Sequence, residues 1–143
     1  MELWFIFFQD LRRKCAVRWG GVMICLPFNF PGLIYRSPMP FGPYDRSGVW
    51  QSYQERDIDL VVVLTEPAES RLYASVDLPE FYRSRGLDVI CLPVPDFQIP
   101  RDRDAWEEGL EESLRYLQRG MNVAVHCLAG LGRTGMFLAC LAV

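Results

Sequence analysis

Apolar residues along the chain follow two alternating periods, one suited to strands and one to helices. Residues 22–26 (VMICL) and 33–35 (LIY) read as short strands. Around and after them, Pro27, Pro31, Pro38, Pro40 and Pro43 make 27–44 a loop-rich stretch. Residues 47–56 (SGVWQSYQER) read as a helix, with Ser47 as its cap and Val49, Trp50 and Tyr53 on one face. The run 60–64 (LVVVL) is continuously apolar and β-branched, the pattern of a strand covered on both faces. Thr65 to Pro67 ends it, and a helix is expected to follow. A further helix over 79–85 (PEFYRSR) closes at Gly86.

Residues 87–92 (LDVICL) read as another strand, and three prolines in 93–100 (PVPDFQIP) exclude regular structure there. The clearest helix covers 102–119, where Trp106, Leu110, Leu114 and Leu117 recur at helical spacing. Its acidic residues (Asp102, Asp104, Glu107, Glu108, Glu111, Glu112) come early and Arg115 and Arg119 late, the order a helix dipole favours. Residues 122–126 (NVAVH) read as a strand, followed by a glycine-rich turn and a helix over 133–143. Strands alternating with helices predict an α/β fold with a mainly parallel central sheet flanked by helices. Sites in such sheets form beyond the C-terminal ends of strands, where the turn after 122–126 lies.

A chain of 143 residues suits one domain. The net charge of −3 gives no general attraction for nucleic acid or acidic membranes, so nucleic acid is not an expected partner and an anionic substrate needs a locally positive pocket. The five cysteines (Cys15, Cys25, Cys91, Cys127, Cys140) show no C-x-x-C spacing, which fits a reduced, cytoplasmic setting. With His126 as the one histidine, a zinc site built on several histidines is excluded. Residues 3–8 (LWFIFF) are too short to span a membrane, and basic residues follow rather than precede them, so neither stable insertion nor a secretory signal is expected. Met23 is an alternative start. No oligomeric state follows from the sequence.

The chemistry concentrates in His126-Cys127-Leu128-Ala129-Gly130-Leu131-Gly132-Arg133-Thr134, which fits H-C-x-x-G-x-G-R-T. Multiplying average residue usages, these identities would coincide on the order of once in a million chains of this length. A short loop between a strand and a helix N-terminus can curl so that its backbone N–H groups converge on a tetrahedral anion. Gly130 and Gly132 are expected to supply the unusual backbone angles, and Arg133 to hold two phosphate oxygens. The same positive field favours the thiolate of Cys127, the nucleophile for in-line attack on phosphorus. Thr134 can hydrogen-bond the sulfur and help it leave. His126 is expected to face away from substrate and support the loop. The leaving oxygen needs an acid from another segment. Asp96, in a proline-bounded loop 31 residues before Cys127, fits best. Asp88, Asp102 and Asp104 are weaker rivals, since they lie within or at the start of regular elements.

LVVVLTE at 60–66, VPDF at 94–97 and VHCLAGLGRTG at 125–135 resemble the protein-tyrosine-phosphatase superfamily, in its compact dual-specificity branch, over roughly 33–143. The small atypical dual-specificity phosphatases and the kinase-associated phosphatase are the nearest likenesses. The resemblance implies the cysteine-phosphatase fold and a phosphocysteine mechanism without metal or cofactor. Cys127 would be the nucleophile, Arg133 the phosphate ligand, Thr134 the leaving-group helper, and Asp96 the acid and later the base. Residues 1–30 are then an extension and 31–143 the phosphatase domain. The chain ends soon after the loop, where such domains continue with further helices, so the domain is expected to be incomplete at its C-terminus and marginally stable or self-associating. Apolar Leu128, Ala129 and Leu131 in the loop favour a phosphorylated protein as substrate, with phosphotyrosine expected first and phosphoserine or phosphothreonine also accepted in a shallow dual-specificity pocket. Phosphoinositides and RNA 5′ phosphates, an inactive phosphate-binding fragment, and sulfur-transfer or arsenate-reducing chemistry are the alternatives.

Overall fold

The computed structural model describes residues 23–143. The LWFIFF segment and the first residue of the expected 22–26 strand lie outside them. The strands are β1 (Ile24–Cys25), β2 (Ile34–Ser37), β3 (Ile58–Val63), β4 (Asp88–Cys91) and β5 (Asn122–His126). The helices are α1 (Val49–Glu55), α2 (Pro67–Glu69), α3 (Leu78–Ser84), α4 (Arg103–Gln118) and α5 (Gly132–Leu141), and α2 runs on as a π turn over Ser70–Ala74.

The strands form one sheet in the order β1-β2-β5-β3-β4. All neighbours are parallel except the edge pair β1–β2. The expected mainly parallel sheet flanked by helices is therefore the observed architecture. Alternation along the central strands divides the core in two. Leu60, Val62, Val123, Val125 and Ile34 face α4 and α5, meeting Trp106, Leu117, Phe137 and Leu138. Val61, Val63, Ala124 and Tyr35 face α1 and α3, meeting Val49, Tyr53, Leu78 and Tyr82. The continuous apolar reading of 60–64 follows from this double cover. Leu26, Phe28 and Phe30 also pack on the first half of the core, and the Leu26 amide donates to the Ile34 carbonyl at 2.9 Å. Residues 24–30, counted with the extension from sequence, thus lie against the body.

One capping expectation fails. The N-cap of α1 is Gly48, at φ 80°, and not Ser47. Asp45 performs the capping: its Oδ1 accepts the amides of Gly48 and Val49, both at 3.0 Å. A carboxylate reaches both amides and its charge suits a helix start, which a serine hydroxyl two residues later cannot match. Elsewhere the expected ends hold within a residue or two: Gly86, at φ 84°, closes α3, and Asp102 caps α4 by accepting the Ala105 amide at 3.0 Å. Among the described residues no helix is long and apolar enough to cross a membrane.

Parallel strands bring the ends of β3, β4 and β5 to one edge. There the Leu64 amide donates to the His126 carbonyl at 3.0 Å, and the Val94 amide to the Leu64 carbonyl at 3.0 Å. Those two bonds fix the 93–100 loop beside the turn that leaves β5.

Two glycines should respond to alanine in opposite directions. A Cβ on Gly32 would lie 1.9 Å from the Met121 carbonyl oxygen, whereas one on Gly135, inside α5, meets nothing within 4 Å. Gly135→Ala is expected to raise the unfolding free energy by about 0.5–1 kcal/mol. Gly32→Ala is expected to lower it by more than that, since two backbone segments must part; urea unfolding of both variants measures the difference.

Candidate active site

The turn from β5 into α5 is built around one residue that only glycine can supply. Gly130 sits at φ 79°, and a Cβ there would lie 2.4 Å from the Ser37 carbonyl oxygen. Its amide donates to Cys127 Sγ at 3.3 Å, so the curl turns an N–H onto the sulfur. The Met39 amide holds the loop from outside through the Leu128 carbonyl at 3.0 Å. Gly132 behaves otherwise than expected: its φ is not positive and the space beside it is open. It is the first residue of α5, so its backbone is helical and needs no special angle.

Cys127 is buried, at 3% exposure. Burial alone would push its thiol pKa up. The Thr134 hydroxyl and amide, the Gly130 amide and the charge of Arg133 together outweigh that, and the pKa lies below the ordinary value. Thr134 lies beside the sulfur as expected, but its buried hydroxyl makes no hydrogen bond of standard geometry with any protein group. It biases the thiol by proximity.

Arg133 stands in the first turn of α5 with its side chain 4% exposed. Its guanidinium is held by a residue the sequence analysis did not single out. Glu69 takes Nη1 on Oε2 at 2.8 Å and Nη2 on Oε1 at 2.9 Å, a two-point grip on the end of the fork. Nη1 also donates to the Val94 carbonyl at 2.9 Å. The Nε–H and the second Nη2–H, on the adjoining edge, remain for two oxygens of an anion. Asp96 Oδ1 lies 3.7 Å from Nη2 in a loose ion pair, with the carboxylate half-exposed. Glu69 is itself fixed by the Glu66 amide, which donates to Oε2 at 2.7 Å. Burial raises its pKa, but the hydrogen bond from Arg133, the Glu66 amide and the Arg133 charge bring it below the usual carboxylate range. The signal available in sequence was the E-P-A-E spacing just past the 60–64 strand, which is a capping pattern. Nothing in that pattern says the second glutamate turns toward α5.

His126 faces the other side of the sheet, as expected, and is fully buried. Its Nε2 pairs with the Tyr82 hydroxyl at 2.9 Å and its Nδ1 with the Cys127 carbonyl at 3.1 Å. It thereby ties the loop to α3. Tyr82 is a second residue the sequence analysis did not single out, since it reads as one more apolar position of a helix.

Cys127, Arg133 and Asp96 line one cavity of about 330 Å³. Its wall includes Tyr44, Phe97, Leu128, Leu131 and Met136, and among the described residues Arg133 is its one cationic side chain. Of the rival acids, Asp102 caps α4 and Asp88 accepts the Tyr116 hydroxyl, and neither lines this cavity. Among the described residues no group of three or more His, Cys, Asp or Glu side chains gathers as a metal site.

The family model described as "Polymorphic toxin system, DSP-PTPase phosphatase" matches residues 45–143. No curated protein matches the sequence. Among solved structures, kinase-associated phosphatase is similar at TM-score 0.69 and 21% identity, over 79% of this chain and 66% of its own. The active form of Tk-PTP is similar at TM-score 0.59 and 30% identity, over 76% and 65%. PTPMT1 in complex with PI(5)P is similar at TM-score 0.60 and 19% identity, over 76% and 65%. The first and third likenesses show the fold alone. The chain spans about two thirds of the length of these structures.

Glu69→Gln is nearly isosteric but removes the charge that orients Arg133. Affinity for vanadate is expected to fall roughly tenfold or more, the worth of a charge-assisted hydrogen bond; titration against the unaltered chain checks it.

Stability should also depend on pH through His126. Burial, opposed by the Cys127 carbonyl and assisted by the Arg133 charge, holds its pKa at about 4 against an ordinary 6.5. Below pH 6.5 the unfolded chain takes up a proton that the native chain refuses until near pH 4. The stability present above pH 6.5 is therefore lost as pH falls through that window, by about 2 kcal/mol between pH 7 and 5. Urea unfolding should show this fall, and in His126→Gln the slope between pH 7 and 5 should be largely gone.

Proposed function

The chain belongs to the dual-specificity branch of the protein-tyrosine-phosphatase family, and from that premise we propose that it is a cysteine-dependent phosphatase acting on phosphate monoesters in proteins. The observation that carries the reading is the cavity shared by Cys127, Arg133 and Asp96, with the thiol pKa of Cys127 held down at its floor.

In the proposed reaction the phosphoryl group sits on the loop amides and the free edge of Arg133. The Cys127 thiolate attacks phosphorus, an S–P bond forms as the ester P–O bond breaks, and Asp96 gives its proton to the leaving oxygen. Water then attacks phosphorus, giving its proton to Asp96, and the S–P bond breaks to return the thiolate and release phosphate. Thr134 stands beside the departing sulfur. Phosphate binding displaces the loose Asp96–Arg133 contact, which frees the carboxyl to face the leaving group.

The cavity wall supports a protein substrate, and phosphotyrosine first. Tyr44, Phe97 and Leu131 are large, exposed and apolar at the lining, with Phe97 at 99% exposure. Such a collar suits an aryl ring. PTPMT1 was solved with a phosphoinositide, but here Arg133 is the one cation of the lining among the described residues, too little for a headgroup carrying several phosphates. Phosphoserine and phosphothreonine are shorter and reach the floor less easily past this collar.

The direct test is hydrolysis of para-nitrophenyl phosphate and of phosphotyrosine, phosphoserine and phosphoinositide substrates, in the presence of EDTA. Turnover of phosphotyrosine peptide above the others, lost in Cys127→Ser, is the expected result. Asp96→Asn should lower turnover roughly 10²–10⁴-fold, the usual worth of general acid catalysis. The loss should be greater for phenyl than for para-nitrophenyl phosphate, whose leaving group needs little protonation, and the ratio of the two rates measures it.

A further inference from the structure

A second cavity, of about 240 Å³, opens where β3 and β4 end, beside but apart from the Cys127 cavity. Val63 and Cys91 line it from the ends of β3 and β4, the π turn gives Ser70 and Arg71, and α3 gives Arg83, with Asp77 from its N-cap. We propose that this cavity is a second phosphate-binding site, in which Arg71 and Arg83 take the anion between their guanidinium groups. The inference stands without the catalytic reading.

Three features point to an anion. Arg71 and Arg83 form no ion pair among the described residues, although both line the same concavity. The one carboxylate of the lining among the described residues, Asp77, is engaged in capping α3, where it accepts the Glu80 amide at 3.1 Å. The hydroxyls of Thr65 and Ser70 are buried at its inner wall and meet each other at only 3.5 Å, which leaves them free to turn toward a ligand. Two planar forks and two hydroxyls are the donor set a phosphate group takes, and the volume suits that group with a small substituent. The site also adjoins both segments that grip Arg133: Ser70 follows Glu69, and Pro93 of the lining precedes Val94.

Either free phosphate or a second phosphate group on a substrate presents this chemistry. Cys91 lies in the cavity, Cys127 in the other one, and Cys140 lies exposed on α5 outside the linings of both, so three thiols report separately. The experiment is site-resolved mass spectrometry of maleimide labelling of the full chain under increasing inorganic phosphate. We expect Cys91 labelling to slow at least several-fold while Cys140 is unaffected. In Arg71→Gln/Arg83→Gln that protection should vanish, with protection of Cys127 retained. Cys91 labelling that stays constant up to the phosphate concentration that fully protects Cys127 overturns the inference and leaves the catalytic reading intact, as does protection that persists in the double variant. A doubly phosphorylated peptide that protects Cys91 better than a singly phosphorylated one with added phosphate assigns the site to a substrate's second phosphate; equal protection assigns it to free phosphate.

Discussion

A thiolate at the floor of a buried cavity is stable only if fixed positive groups replace the water it has lost. Cys127 meets that condition through donors that come from separate parts of the chain: the Gly130 amide, Thr134 and the guanidinium of Arg133. Each needs its own support. Gly130 can turn its amide inward because nothing larger fits against Ser37. The curl itself is hung from β5, the central strand of the sheet, with β2 and β3 on either side. Packing on both faces keeps that strand end from yielding when charge gathers there.

Arg133 carries the second half of the constraint. A guanidinium buried to this degree would be costly if left without partners, and removing one partner of such a pair typically costs about 3–5 kcal/mol. Glu69 and the Val94 carbonyl supply the partners, and they come from α2, which follows β3, and from the loop that follows β4. The same contacts aim the fork's free edge at the cavity. Val94 is two residues before Asp96, so the loop carrying the proposed acid is anchored to the residue proposed to hold the phosphate. The half-exposed carboxylate of Asp96, held at 3.7 Å, remains able to shift while its loop is tethered. A π turn directly after Glu69 fits a site that holds a side chain off the regular helical direction.

The sequence made the strands and long helices legible because their signal is local. The double-sided cover of 60–64 and the spacing of Trp106, Leu110, Leu114 and Leu117 need no knowledge of the fold. The loop was legible because a rigid chemical task leaves several fixed residue types in nine positions. Glu69 and Tyr82 escaped notice because their partners, Arg133 and His126, are 64 and 44 residues away. Only the strand order brings them together, and a residue pattern over a few turns carries no such information. Gly132 was misread for the opposite reason. Two glycines separated by one residue suggested two special backbone angles where the loop needs one, and the second glycine had already entered the helix. At the start of α1, Ser47 satisfied the capping pattern while a better acceptor, Asp45, stood two residues earlier.

The account turns on whether this arrangement holds Cys127 as a thiolate, and the pH dependence of its alkylation measures that directly. Iodoacetamide labelling of Cys127, followed by mass spectrometry between pH 4 and 10, should give an apparent pKa clearly below about 8.5, the ordinary value for a cysteine. It should rise toward that value in Glu69→Gln, where Arg133 loses its orientation. A Cys127 titrating at or above the ordinary value in the unaltered chain would show that burial prevails over the loop donors and Arg133, and would contradict the account.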